Sequence, residues 1–203
     1  MDLEVIHNYC INQNILLDET TFLSWYVIVK PILDHEEFLK RQYFKHHENQ
    51  SVYEHSLLVS ACAYELAFKY NANLENCAIA GMLHDFYTAA WQYSIELEQL
   101  DEKYREYFLP NYIKPALFKM HGFTHPESAA ENTQEYFPQY INDHIKNAIL
   151  THMFPLSIAT PNKLPKYKEA WIIQLADKII SCKDLPTLEN SLKYVGLTRK
   201  KMN

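Results

Sequence analysis

Histidine and aspartate recur along this chain where a helical register would turn them inward: His55, the adjacent pair His84 and Asp85, then His125, His152 and Asp177. Ten histidines in 203 residues are the chain's one compositional oddity. Imidazole nitrogens and carboxylate oxygens ligate transition metals and move protons near neutral pH. A single buried histidine is ordinarily a hydrogen-bonded core residue. Several ionisable side chains buried together are costly unless they are paired or bound to a cation. Imidazole with carboxylate and no thiolate suits Fe, Mn, Co, Ni or Zn, and fits neither a cysteine-built structural zinc site nor an all-oxygen calcium cage.

Helices must position these groups. From Ser51 to about Tyr70, Val59, Cys62 and Leu66 recur at helical spacing with His55 on the same stripe. Asn73 is a cap for the next helix, whose run from Cys77 to Phe86 is apolar nearly all round and carries His84 and Asp85 at its end. Thr124-His125-Pro126-Glu127 reads as a capping box, which predicts His125 at a helix start. Asn142 caps a helix in which Ile141, Ile145, Ala148 and His152 share a face and which Pro155 stops; Ala170, Ile173, Asp177 and Ile180 form a stripe on the last strong helix. Residues 1–45 read as an appendage of two or three short helices packed on the core, with a start signal at Asp18 to Thr21 and a break at Pro31. A Tyr-rich polar stretch from Tyr87 to Phe108 precedes a short element flanked by Pro110 and Pro115. The expected architecture is an all-α bundle with a buried metal site between helices over residues 46–185, followed by a polar, frayed tail over 186–203.

Composition removes other chemistries. Gly81, Gly122 and Gly196 are the only glycines, so no Gly-rich phosphate cradle can be built, and tight hairpin turns must be few. Nineteen basic against 25 acidic residues give a formal charge of −6, which offers no general attraction to a nucleic-acid polymer or an anionic membrane. The apolar run from Phe22 to Val29 is interrupted at Ser24 and stopped by Lys30 and Pro31, far short of the ~20 residues of a membrane span. Cys10, Cys62, Cys77 and Cys182 form no paired motif, and no secretory start is visible, so a cytoplasmic protein with reduced thiols is expected. Cys62 and Cys182 read as small packing residues. Ser56 follows His55 directly, but neighbours on a helix diverge and no nucleophile elbow surrounds them.

The ordered set His55, His84-Asp85, His125, His152, Asp177 resembles the HD-domain metal-dependent phosphohydrolase superfamily, whose minimal signature is His, then His-Asp, then Asp. The neighbourhoods Val52-Tyr53-Glu54-His55-Ser56-Leu57, Gly81-Met82-Leu83-His84-Asp85, His121-Gly122-Phe123-Thr124-His125-Pro126 and Ala176-Asp177-Lys178 carry the likeness. The chain is most similar to small stand-alone bacterial members with a His-His pair before the first motif, here His46-His47. The resemblance implies one or two divalent transition metals: His55, His84, Asp85 and Asp177 hold the first, and Asp85 bridges to a second held by His125 and His152. It implies hydrolysis of a phosphomonoester or phosphodiester by metal-activated hydroxide, with Asp85 and Lys178 as the catalytic residues. Lys178 would steady charge on the phosphate; alternatively, pointing about 100° from Asp177 on an ordinary helix, it is solvated.

Subtypes separate on local departures. No Glu follows the His-Asp pair in Phe86 to Ala90, which counts against the mononuclear deoxynucleotidase kind. Met153 replaces a second adjacent His, and no Gly-Tyr-Pro segment is present, which counts against the cyclic-dinucleotide phosphodiesterases. The expected partner is a small phosphorylated metabolite, a nucleotide in the first place, and a homodimer is compatible with the sequence. A non-catalytic, metal-containing nucleotide-binding sensor or adaptor is the alternative. Among flanking residues, His121 is either a substrate or supporting group or a loop histidine. His46 and His47 are either surface loop or the phosphate-contacting edge of the pocket, and Tyr53 and Tyr87 are candidate nucleobase or leaving-group contacts. His7, His35 and His144 read as surface or structural residues.

Overall fold

Side chains that compete with the backbone mark where several helices begin. Asp18 accepts from the Thr21 N–H at 3.0 Å, Asn73 from Asn76 at 2.8 Å, and Asn142 from both His144 and Ile145 at 3.0 Å. In the computed structural model, which describes residues 2–15, 17–47, 50–87, 121–155 and 164–184, these caps open three of the helices that follow. The elements are α1 (Leu3–Asn12), α2 (Glu19–Leu33), α3 (Glu36–Leu39), a 3-10 turn (Lys40–Tyr43), β1 (Lys45–His47), β2 (Gln50–Ser51), α4 (Val52–Tyr70), α5 (Leu74–Leu83), α6 (His121–Tyr136), α7 (Asp143–Thr151) and α8 (Lys168–Asp184). The fold is all-α, with the β1–β2 ribbon as the one sheet among the described residues.

Helix α4 lies between α5 and α8, while α5 also meets α2 and α7, and α7 packs on α6 and α8. One apolar core runs from Ile6 and Trp25 through Leu57, Ile79 and Ile149 to Ile173, so the first helices share it with α4, α5, α7 and α8. Trp25 Nε1 donates to Ser60 Oγ at 2.9 Å, and that hydroxyl donates to the Ala78 carbonyl at 2.6 Å, which joins α2, α4 and α5 at one buried point. Helices α4 and α5 approach there because position 81 has no side chain: a Cβ on Gly81 would lie 2.5 Å from Ser60 Cα.

Two local expectations are corrected. Pro31 does not break α2, which continues to Leu33. The bond Pro31 cannot make is the one to the carbonyl of Val27, a residue 71% exposed, so water can satisfy that carbonyl. His125 is not at a helix start: α6 already includes His121, so Thr124 does not mark the helix end, and Pro126 sits inside the helix. Among the described residues the helix is thus already formed one turn earlier, and Pro126 costs it a single N–H. The Tyr-rich stretch beyond Tyr87, the element between Pro110 and Pro115, and the tail lie outside the described residues.

Candidate metal centre

The ligand-type residues are delivered by the ends or the buried faces of several elements, with His84 and Asp85 sharing one. Strand β2 leads into α4 through a capping box in which Ser51 Oγ accepts from Glu54 N at 3.2 Å and Glu54 Oε2 accepts from Ser51 N at 2.8 Å. His55 follows in the next position, fully buried. Helix α5 ends at Leu83, so His84 caps it and Asp85 stands just beyond; His152 caps α7 in the same way. His125 points inward from α6 and Asp177 from α8, and both are buried.

These side chains converge. His55 Nε2 lies 3.1 Å from Asp177 Oδ1, and His84 Nε2 lies 3.9 Å from the same oxygen. Asp85 divides the set between its two oxygens: Oδ2 lies 3.3 Å from His46 Nε2 and 3.6 Å from His84 Nε2, whereas Oδ1 lies 3.2 Å from His125 Nε2 and 3.4 Å from His152 Nε2. His125 Nε2 and His152 Nε2 are 2.8 Å apart. Two tautomers follow from backbone acceptors, because a carbonyl only accepts: His84 Nδ1–H donates to Gly81 O at 2.8 Å, and His152 Nδ1–H donates to Ile149 O at 2.7 Å. Both rings, when neutral, turn a lone pair on Nε2 toward the shared centre.

Burial favours neutral imidazoles at His55 and His84, beside anionic carboxylates. Burial pushes His55 down to about 3, with the neighbouring His46 adding to the shift against the pull of Asp177. Burial also lowers His84, against the charge of Asp85. For Asp85 and Asp177 burial acts upward, but His84, His125 and His152 around Asp85, and His55 with His84 beside Asp177, outweigh it and hold both carboxyls below their ordinary range. His152 is the exception among these rings: burial lowers it, but its hydrogen bond to Asp85 and that carboxylate's charge raise it overall. Tyr87 is raised well above its ordinary value, first by burial and then by Asp85, so it stays protonated.

The donor set fits a transition metal. His84 Nε2 is buried and has no hydrogen-bond partner among the described residues, although its ring is already fixed through Nδ1. Donor atoms that share an ion at about 2.1 Å lie about 3.0–3.4 Å apart for right-angle to tetrahedral bonds, which matches most of the spacings here. Two groups, His55 with His84 and Asp177, and Asp85 with His125 and His152, each bring their donor atoms within 4.8 Å of one another. His46 forms a third group with His55 and Asp85.

A cavity of about 290 Å³ opens onto this centre, lined by His46, Asp85, His125, His152 and Asp177, with Lys45, Tyr87, Met153, Lys178 and Ser181 around them. Lys178 is exposed and its Nζ lies 3.5 Å from the His152 carbonyl, so it borders the cavity without pairing to Asp177. Tyr87 stands 6.1 Å from the His125 ring, edge to face. Tyr53 does not join them: it is buried in the core against Phe38, with ring centroids 5.4 Å apart. His46 belongs to strand β1 and not to a surface loop; the backbone of His47 follows it, and the side chains of His47 and His121 lie outside the described residues. Sequence reasoning missed Lys45 and Ser181. Ser181 was findable, four residues after Asp177 on the same helical face, and its hydroxyl donates to Asp177 Oδ1 at 3.3 Å. Outside the centre, His144 pairs with Glu169 at 3.0 Å, His35 caps α3, and His7 stacks on Phe22.

A family model described as HD domain matches residues 52–181. No curated protein and no solved structure matches the chain. Among the described residues, no helix is long and apolar enough to cross a membrane.

Proposed function

The chain belongs to the HD-domain family, and from that premise we propose that it is a metal-dependent phosphohydrolase acting on a small phosphorylated metabolite, in the first place a nucleotide. The observation that carries the reading is the division of Asp85: one oxygen faces His84 and the other faces His125 and His152. A carboxylate so placed can serve two cations at once, with His55, His84 and Asp177 completing one set and His125 and His152 the other. Bound there, divalent metal supplies Lewis-acid polarisation of phosphoryl oxygens and acidifies water toward a pKa of about 7.

The chain's own groups do the rest. Hydrogen bonds to Gly81 and Ile149 fix the rings of His84 and His152 before any ligand arrives. The ammonium groups of Lys45 and Lys178 flank the cavity, where a phosphate's negative charge would be met from the protein side. Tyr87, held protonated, is a hydrogen-bond donor and not an anion at the wall. The cavity volume of about 290 Å³ is near the lower end for a small-molecule site and suits a phosphorylated head group. Four cysteines without a disulfide, three of them buried, support work in the reducing cytoplasm.

The test is phosphate release from a panel of nucleotides and a generic aryl phosphate by protein loaded with Mn²⁺, Fe²⁺, Co²⁺ or Ni²⁺. Turnover that is lost on chelation and restored by one of these metals supports the proposal. Tight nucleotide binding with no phosphate released under any of them replaces it with the sensor reading.

A further inference from the structure

The β1–β2 ribbon is out of simple register. Lys45 faces Ser51 and His47 faces Gln50, so His46 is the extra residue of a bulge. A bulge re-aims one side chain while the flanking pairs hold. Here it lays the His46 ring flat on that of His55, with centroids 3.7 Å apart and planes 15° apart. The same turn of chain brings His46 Nε2 to 3.3 Å from Asp85 Oδ2, the oxygen on the His84 side, and leaves the side chain only 16% exposed. One donor atom each from His46, His55 and Asp85 falls within 4.8 Å of the others.

We infer that His46 is itself a metal ligand on the Oδ2 side of Asp85, an inference that rests on the metal-centre reading above. The two sides of Asp85 are then unequal. His46, His55, His84, Asp85 and Asp177 serve one side, while Asp85, His125 and His152 serve the other. A position crowded with protein donors retains its ion, whereas one with three protein donors keeps places for exchangeable ligands. The Oδ1 side is therefore where a phosphate meets metal, and the Oδ2 side is the anchor. A plain hydrogen bond from His46 to Asp85 is the rival role, and the two differ in what happens to metal.

Full-length protein and the variants His46→Gln and His46→Glu are stripped, then titrated with Co²⁺ against a chelating dye, with visible absorption recorded and folding followed by circular dichroism. Expected is a loss of at least about tenfold in affinity for the tighter equivalent in His46→Gln, with an altered Co²⁺ spectrum and recovery in His46→Glu. Unchanged affinity and spectrum in folded His46→Gln overturns His46 as ligand and leaves the metal centre standing; wild-type protein that takes up no metal overturns both. A measurement on wild type covers the case in which the variants do not fold. In protein loaded with an NMR-active cadmium isotope, metal–nitrogen coupling to His46 together with His55, His84, His125 and His152 supports the inference, and coupling to those four without His46 defeats it.

Discussion

The rings of His84 and His152 meet edge to face, with centroids 5.0 Å apart and planes at 87°, and each donates Nδ1–H to the carbonyl three residues before it. Both stand at helix C-termini, where the last carbonyls have no helical donor. One device thus satisfies the helix end and fixes the tautomer that aims Nε2 at Asp85. The centre is built by the fold before metal arrives, so metal binding should act as a stabiliser of the folded chain.

Removing metal should therefore lower thermal stability. A ligand present at about 1,000 times its Kd contributes about 4 kcal/mol, which for a chain of this size is on the order of 10 °C in Tm. Differential scanning fluorimetry with and without a chelator, then with Mn²⁺ or Co²⁺ restored, checks this. A Tm indifferent to chelation would mean that the buried cluster is held by hydrogen bonds alone.

Gly81→Ala should damage fold and site together. Its methyl group would meet Ser60 Cα at 2.5 Å, and backbone cannot move aside as a side chain can. Forcing α4 and α5 apart should cost about 1–3 kcal/mol, read from urea unfolding. Because His55 rides on α4 and His84 accepts its orientation from the Gly81 carbonyl, metal affinity should fall as well. A variant with unaltered affinity would show that the helix contact does not set the ligand geometry.

Glu169 carries a pH-dependent part of stability away from the centre. It accepts from the Asn73 N–H at 3.1 Å and from His144 at 3.0 Å, tying α8 to the start of α5 and to α7. Burial acts to raise its pKa, but the His144 hydrogen bond and backbone donors outweigh that and lower it from 4.5. A lowered carboxyl stabilises above its unfolded value and loses that contribution as pH falls through the folded one. Glu169→Gln should thus cost about 1–2 kcal/mol at neutral pH, with the gap from wild type closing below pH 4.5. A gap constant across that range would remove the charge from the explanation.

Periodicity and capping made much of this legible. Caps at Asp18, Asn73 and Asn142 and the inward stripes carrying His55, His152 and Asp177 are written locally in residue type and spacing. What escaped depends on tertiary context. Pro31 was tolerated because the carbonyl it leaves unpaired belongs to an exposed residue, which no local pattern reveals. Tyr53 has the neighbours of a site residue but falls on the Phe38 side of α4. His46 was named from sequence as surface loop or pocket edge, but its approach to Asp85 depends on a bulge between two very short strands, which no single-segment periodicity reveals.

Lys178 offers the sharpest separation of chemistry from architecture. It is exposed on α8, borders the cavity, and among the described residues makes a 3.5 Å contact to the His152 carbonyl, at the outer limit of a hydrogen bond, so its loss should cost the fold little. A cation in that position would act on charge that grows on the phosphate during bond cleavage, where a preorganised group is worth most. Lys178→Ala should lower kcat by roughly 10- to 100-fold while metal content by elemental analysis and Tm stay at wild-type values. Lys178→Arg, which keeps the charge, should recover part of the rate. An unaffected kcat in the alanine variant would assign Lys178 to solvent and leave Lys45 as the cavity's working cation. A fall in metal content would instead make it a support for His152, whose carbonyl it meets.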